Sequence, residues 1–174
     1  LKTAANWLND LKSKNKVIVD LGSGTGSTIR GLQRYAALTP SIQWRLIDND
    51  PELLAEAIHR HSEDYSIESF LVDLSATQKL PLQSVSLITA SALLDLVSGN
   101  FIRDLCQLIK GKNEDRPLGF YSALNYDGCI KWTPFHSLDA AILMNFNADQ
   151  RRDKGFGPAL GPDATDFLKT QFHS

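Results

Sequence analysis

No apolar run in this chain approaches the ~20 residues that a membrane-spanning helix requires, which excludes a helix that crosses a bilayer. Cysteine is scarce: Cys106 and Cys129 stand alone, without Cys-x-x-Cys spacing and far below the density of a disulfide-stapled domain. Both read as ordinary buried thiols in a reducing, cytoplasmic setting. Positive charge is not in excess, since 18 Lys and Arg face 20 Asp and Glu for a net charge of -2, so nucleic acid and anionic membranes are disfavoured as partners. Internal repeats, low-complexity tracts and linkers are missing too, and the opening Leu1-Lys2-Thr3-Ala4-Ala5-Asn6 lacks the form of a signal peptide. What remains is a globular composition, 43% hydrophobic and 22% charged over 174 residues, enough for one domain with a real core.

Hydrophobic periodicity divides the chain into alternating elements. Ala4, Trp7, Leu8 and Leu11 make one stripe of a helix over residues 3–13, with Asn9, Lys12 and Lys14 left for solvent. Strands are predicted at Lys16 to Val19, Ile42 to Ile47, Ile67 to Val72, Val85 to Ala90 and Leu118 to Leu124. Between them lie a helix with Ile29, Leu32 and Ala36 on its face, closed by Pro40; a second with Asp50 as N-cap, Pro51 at its first position and Leu53, Leu54, Ala57 and Ile58 inward; and a third from near Asn100. The alternation indicates an open, mostly parallel α/β sheet, whose ligands gather at the carboxyl ends of the strands. Beyond it, Cys129 to Trp132 reads as a short extra strand, Ser137 as the cap of a helix facing inward through Leu138, Ile142 and Phe146, and Asp163 as the cap of a last helix.

The stretch Val17-Ile18-Val19-Asp20-Leu21-Gly22-Ser23-Gly24-Thr25-Gly26 is a buried-strand pattern that ends in a carboxylate and three alternate glycines. By itself such a turn serves a dinucleotide, a nucleoside triphosphate or S-adenosylmethionine. A dinucleotide fingerprint needs Gly or Ala where the chain has Ser27, and a phosphate loop needs Lys-Ser/Thr where it has Ser27-Thr28.

With its acidic residue two before the first glycine of GxGxG, the stretch resembles the first motif of the class I S-adenosylmethionine-dependent methyltransferases. The resemblance spans about residues 16–124 and implies that Asp20 holds the water or amino group near the methionine moiety. It also implies that the backbone of Gly22, Ser23, Gly24, Thr25 and Gly26 lies against the cofactor. A carboxylate suits a cationic sulfonium ligand that carries no pyrophosphate. Asp48, ending the second strand, resembles the family's ribose-binding acid, with Asn49 flanking the adenine. Val72-Asp73-Leu74 resembles the site that accepts the adenine amino group, and Ser91 and Leu94 resemble the cofactor wall. The implied cofactor is S-adenosylmethionine, its product S-adenosylhomocysteine, and the implied architecture a Rossmann-like three-layer sandwich.

After the fourth strand, Thr89-Ala90-Ser91-Ala92-Leu93-Leu94-Asp95-Leu96 lacks the Asn/Asp-Pro-Pro-aromatic motif of base-amino methyltransferases, and no aspartate cluster for a metal follows. His59 and His61, two apart on a helix, make no chelating pair. Methyl transfer from a sulfonium is an in-line displacement that requires proximity and alignment more than a base. Candidates for proton removal or acceptor orientation are Asp95, Tyr126 and His136, with Arg152 and Lys154 for an anionic group. Residues 145–163, with two Gly-Pro steps around Ala159-Leu160, resemble a signature of a group of uncharacterised bacterial methyltransferases. The sequence therefore reads as one domain: an N-terminal helix (1–15), a cofactor core (16–124) and a variable substrate-side region (125–174). That last region leaves little sequence for the family's C-terminal antiparallel hairpin. The expected activity is methyl transfer to a small molecule. A non-catalytic cofactor- or protein-binding module is the first alternative, and an NAD-dependent oxidoreductase is disfavoured by glycine spacing. Oligomeric state is left open.

Overall fold

The computed structural model describes residues 1–13, 15–35, 41–111 and 117–173; Lys14, Ala36 and Pro40 of the reading above lie outside them. The chain forms two compact units, one of residues 1–91 and 108–122 and the other of 92–107 and 123–174.

In the first unit, α1 (Lys2–Asp10) precedes β1 (Lys16–Leu21), α2 (Ser27–Tyr35), β2 (Ile42–Asp48), α3 (Pro51–His61), β3 (Ser66–Leu71) and β4 (Leu87–Ser91). Next come α4 (Gly99–Lys110), which runs through both units, and β5 (Gly119–Ala123). The five strands form one sheet in the order β3-β2-β1-β4-β5, and β1 pairs in parallel with both β2 and β4. Parallel pairing brings the carboxyl ends of β1 to β4 to one edge, where ligands of such sheets bind. The central strand β1 is buried from Val17 to Leu21, which is why it reads as an unbroken apolar run. β3 occupies the edge, and its side chains are half-buried at most.

One face of the sheet is sealed by Ala4, Ala5 and Leu8 of α1, Ile29 and Leu32 of α2, and Leu54 and Ala57 of α3, packed on Ile18, Ile42, Trp44, Leu46 and Leu87. Trp44 is fully buried and meets Tyr65 edge-on, ring centroids 6.5 Å apart. Trp7 stays partly exposed, with its indole lying over Gly119: a Cβ there would come within 2.6 Å of Trp7 Nε1. On α3, Leu53 is exposed and Ile58 only half-buried, a narrower inward stripe than expected, and the face gains His61 instead.

The second unit contains a 3-10 turn (Leu94–Leu96), most of α4, α5 (Asp139–Gln150), another 3-10 turn (Gly161–Asp163) and α6 (Ala164–His173). Its Gly-Pro-rich segment is a built loop. Asp153 Oδ1 accepts from the amides of Gly155 (2.7 Å) and Gly157 (3.0 Å), Phe156 meets Phe101 edge-on at 5.4 Å, and Arg151 pairs with Asp163 at 2.9 Å. Four expectations fail here. Cys129 to Trp132 forms no strand, and Cys129 is exposed, unlike the buried Cys106. α5 starts from Leu138 with no side-chain cap rather than from Ser137, and Leu138, Ile142 and Phe146 point outward. The stripe gives the helical period correctly but not its direction, because apolar residues occur all round this helix.

Among the described residues no helix is long and apolar enough to cross a membrane.

Candidate functional site

The site lies in the first unit, at the carboxyl edge of its sheet. β1 delivers Asp20 as its next-to-last residue, and the chain then turns through Gly22, Gly24 and Gly26 at φ of 63°, 50° and 79°. Those left-handed angles strain any residue with a Cβ, so the alternate glycines are a backbone requirement. A Cβ built on Gly24 would meet nothing within 4 Å, which makes this amide turn an open cradle.

Asp20 is buried. Its Oδ1 accepts from Thr89 Oγ1 at 2.6 Å and Thr28 Oγ1 at 3.1 Å, whereas Oδ2 accepts from no described residue. Burial pushes its pKa from 3.8 up to about 6, against the pull of the Thr89 and Thr28 hydroxyls and with a further push from the charge of Asp48. A buried carboxylate with one oxygen in use and one open is matched to a cationic or amide-like donor. The sequence contained a clue to Thr89: it is the one hydroxyl among Leu87, Ile88 and Ala90, and the sheet registers it opposite Asp20.

Asp48 ends β2 and ties the site together. Its Oδ2 accepts from the Gly24 amide at 2.7 Å and its Oδ1 from the Asp50 amide at 3.1 Å. Each oxygen keeps a second lone pair, so a diol can still be received. Asp50 is the expected cap of α3, accepting from the amides of Glu52 (2.8 Å) and Leu53 (3.2 Å). Asn49 is exposed between the two. Asp73, just past β3, is exposed, with Oδ1 accepting from the Ser75 amide at 2.9 Å, a bond that holds its pKa below the usual carboxylate value. Leu74 beside it is buried, and Ser91 ends β4 half-buried. The buried hydroxyl of Ser23 is a second polar group in the turn that is bonded to no described residue.

Behind the turn sits a group that sequence reasoning missed. The imidazole of His61 fills the space a side chain at position 26 would need, 2.8 Å from the ideal Cβ, while Arg30 lies 3.4 Å from His61 Nε2 and donates to the Thr25 carbonyl at 2.6 Å. Burial and then the Arg30 charge hold the His61 pKa down, which keeps the ring neutral as a prop for the turn. Gly26→Ala meets both a positive φ and this ring. It is expected to lower stability by about 1–3 kcal/mol, read as a drop in Tm that adding His61→Ala only partly recovers. An unchanged Tm would show that the turn relaxes freely.

The remaining candidates belong to the second unit. Asp95 is buried, its Oδ1 bonded to no described residue, and Leu94 next to it is fully buried. Tyr126 donates to Asn147 Oδ1 at 2.7 Å and meets Phe146 edge-on, and burial followed by the Asp127 charge raises its pKa. His136 is exposed and works in the turn before α5: its amide donates to Asp139 and its Nδ1 accepts from the Leu138 amide. Arg152 and Lys154 converge on Asp149 at 3.3 and 3.0 Å. Basic side chains held this way neutralise a neighbour at the surface.

The sequence matches no protein-family model and none of the curated proteins. Solved structures resemble the fold. LepI, in complex with S-adenosylhomocysteine and a substrate analogue, aligns at TM-score 0.60 and 14% identity over 97% of this chain and 40% of its own. The cyclopropane synthase MmaA2 from Mycobacterium tuberculosis aligns at TM-score 0.58 and 14% identity over 97% of this chain and 57% of its own. Phosphoethanolamine N-methyltransferase 2 of Haemonchus contortus, in complex with S-adenosyl-L-methionine, gives 0.57 and 14% over 98% and 36%. This chain thus spans less than two thirds of each of these proteins. A likeness of this degree shows the fold, a Rossmann-like methyltransferase fold; the strand-helix alternation led to the expectation of its open parallel sheet, and the resemblance of the glycine motif to that of its methyltransferase form.

Proposed function

We propose that the chain binds S-adenosylmethionine and transfers its methyl group to a small-molecule acceptor, releasing S-adenosylhomocysteine. The observation that carries the reading is Asp20: a buried carboxylate, one oxygen clamped by two hydroxyls and the other open, at the start of a three-glycine turn. Asp20 would hold the amino group of the methionine moiety, the Gly22 to Gly26 backbone would lie along the cofactor, Asp48 would receive the ribose hydroxyls, and Asp73, with Asn49 and Leu74, would border the adenine. The cofactor, when bound, supplies a methyl group made electrophilic by its sulfonium. The chain contributes a fixed, partly dry edge against which that group is oriented. A small acceptor is favoured by the net charge of -2 and by the lack of a base-recognition motif after Ser91.

One observation favours a second reading, a non-catalytic cofactor-binding module. Tyr126, His136, Arg152 and Lys154 are all engaged in local contacts. Calorimetry with S-adenosylmethionine, S-adenosylhomocysteine and NAD tests binding, and release of S-adenosylhomocysteine from a small-molecule extract tests transfer. Binding of the two sulfur compounds but not NAD is expected. Binding of NAD alone would overturn the proposal, and binding without any product release would leave the module reading in its place.

A further inference from the structure

Within the second unit, the segment before α5 and the start of that helix enclose a cleft of about 360 Å³. That volume falls at the small end of the range of small-molecule sites and suits a ligand of metabolite size. Most of its wall is apolar. Ile130 and Leu143 line it half-buried, and the rings of Trp132 and Phe135 line it 38% and 81% exposed. Aromatic surface left in water in this way rewards whatever covers it. Two charges of opposite sign share the same cleft, Lys131 and Asp139. They form no ion pair with each other, and neither pairs with any other described residue. Asp139 is nonetheless fixed in place: it is the first residue of α5, and its Oδ2 accepts from the His136 amide at 2.9 Å. Its Oδ1 is left for another donor.

We propose that this cleft binds a zwitterionic amino acid with an aromatic or aliphatic side chain. The ligand's ammonium pairs with Asp139, its carboxylate with Lys131, and its side chain lies among Ile130, Trp132, Phe135 and Leu143. Both contacts are of the charge-assisted kind, the strongest that such a small site can make. The two lining charges select the class. A ligand with one charge would cover the other lining charge without pairing it, and a neutral ligand would do so to both, at a cost in desolvation that nothing repays. An amino acid carries an ammonium, a carboxylate and an apolar group on one carbon, so it meets all three demands within a small volume. The flexible four-carbon stem of Lys131 lets its ammonium follow the ligand carboxylate, while the carboxylate of Asp139 stays fixed.

The inference does not depend on the methyltransferase reading, and its test needs no cofactor. Calorimetry on the full chain should show saturable binding of L-phenylalanine or L-leucine. Phenethylamine, which lacks the carboxylate, and 3-phenylpropionate, which lacks the ammonium, should each bind at least about tenfold more weakly than L-phenylalanine. Asp139→Asn keeps an acceptor for the His136 amide and should weaken L-phenylalanine about tenfold without weakening 3-phenylpropionate. Lys131→Met should weaken L-phenylalanine similarly without weakening phenethylamine. Both variants should keep the circular dichroism of the parent. Failure of both amino acids to bind, analogues that bind as well as L-phenylalanine, or variants that weaken all three phenyl compounds alike would each overturn the proposal.

Discussion

Asp20→Asn is expected to make the free chain more stable at neutral pH while removing its affinity for S-adenosylmethionine. The carboxyl titrates at about 6 in the folded chain against an ordinary value of 3.8, chiefly because it is buried. The folded state therefore holds the proton more tightly than the unfolded chain. The stability this confers is fully present below about pH 4 and is lost as pH rises through about 6, a loss of about 3 kcal/mol. Asparagine keeps an oxygen for Thr28 and Thr89 and carries no charge, so at pH 7.5 the variant should melt higher than the parent, and the gap should close toward pH 4. The same substitution takes away the anion that faces a cationic ligand, so binding should fall by about a hundredfold or more. Parent affinity should also weaken as pH falls through about 6, when Asp20 takes up its proton. A variant that is no more stable at pH 7.5, or that still binds normally, would show that Asp20 is a structural carboxylate and not the ligand's partner.

The second large effect separates two neighbouring aspartates. Asp48→Ala removes the acceptor of both the Gly24 and Asp50 amides, so it should loosen the glycine turn and the approach to α3 together. A loss of about 2–4 kcal/mol in stability is expected for two amides left without their partner. Cofactor affinity should fall by at least about tenfold from the ribose contact alone. Asp50→Ala removes only the cap of α3 and should cost about 1 kcal/mol, with affinity almost unchanged. Chemical denaturation and calorimetry on both variants make the comparison; equal losses of affinity would remove Asp48 from the site.

These two residues also mark how far the sequence could be read. Asp50 is legible because capping is local: a carboxylate, then proline, then a helical stripe are all the information the bond to Glu52 and Leu53 requires. The tie between Asp48 and Gly24 spans twenty-four residues and exists only because β1 and β2 lie side by side in parallel register. His61 illustrates the same limit. On its own helix it is one of two histidines near the carboxyl end, and only the packing of α3 beneath the turn makes it the neighbour that forbids a side chain at Gly26.

By itself the sequence determined the order and kind of the elements in the sheet-forming part, because buried parallel strands and amphipathic helices leave distinct apolar periods. It also determined the glycine turn with Asp20 before it, because backbone angles of that sort admit few residue types. The tertiary structure decided what composition cannot encode: the open oxygen and raised pKa of Asp20, which follow from its burial, the strapping of the turn by Asp48, and the outward face of α5. In each case the deciding quantity is what lies across from a side chain, which is set by packing between segments distant along the chain.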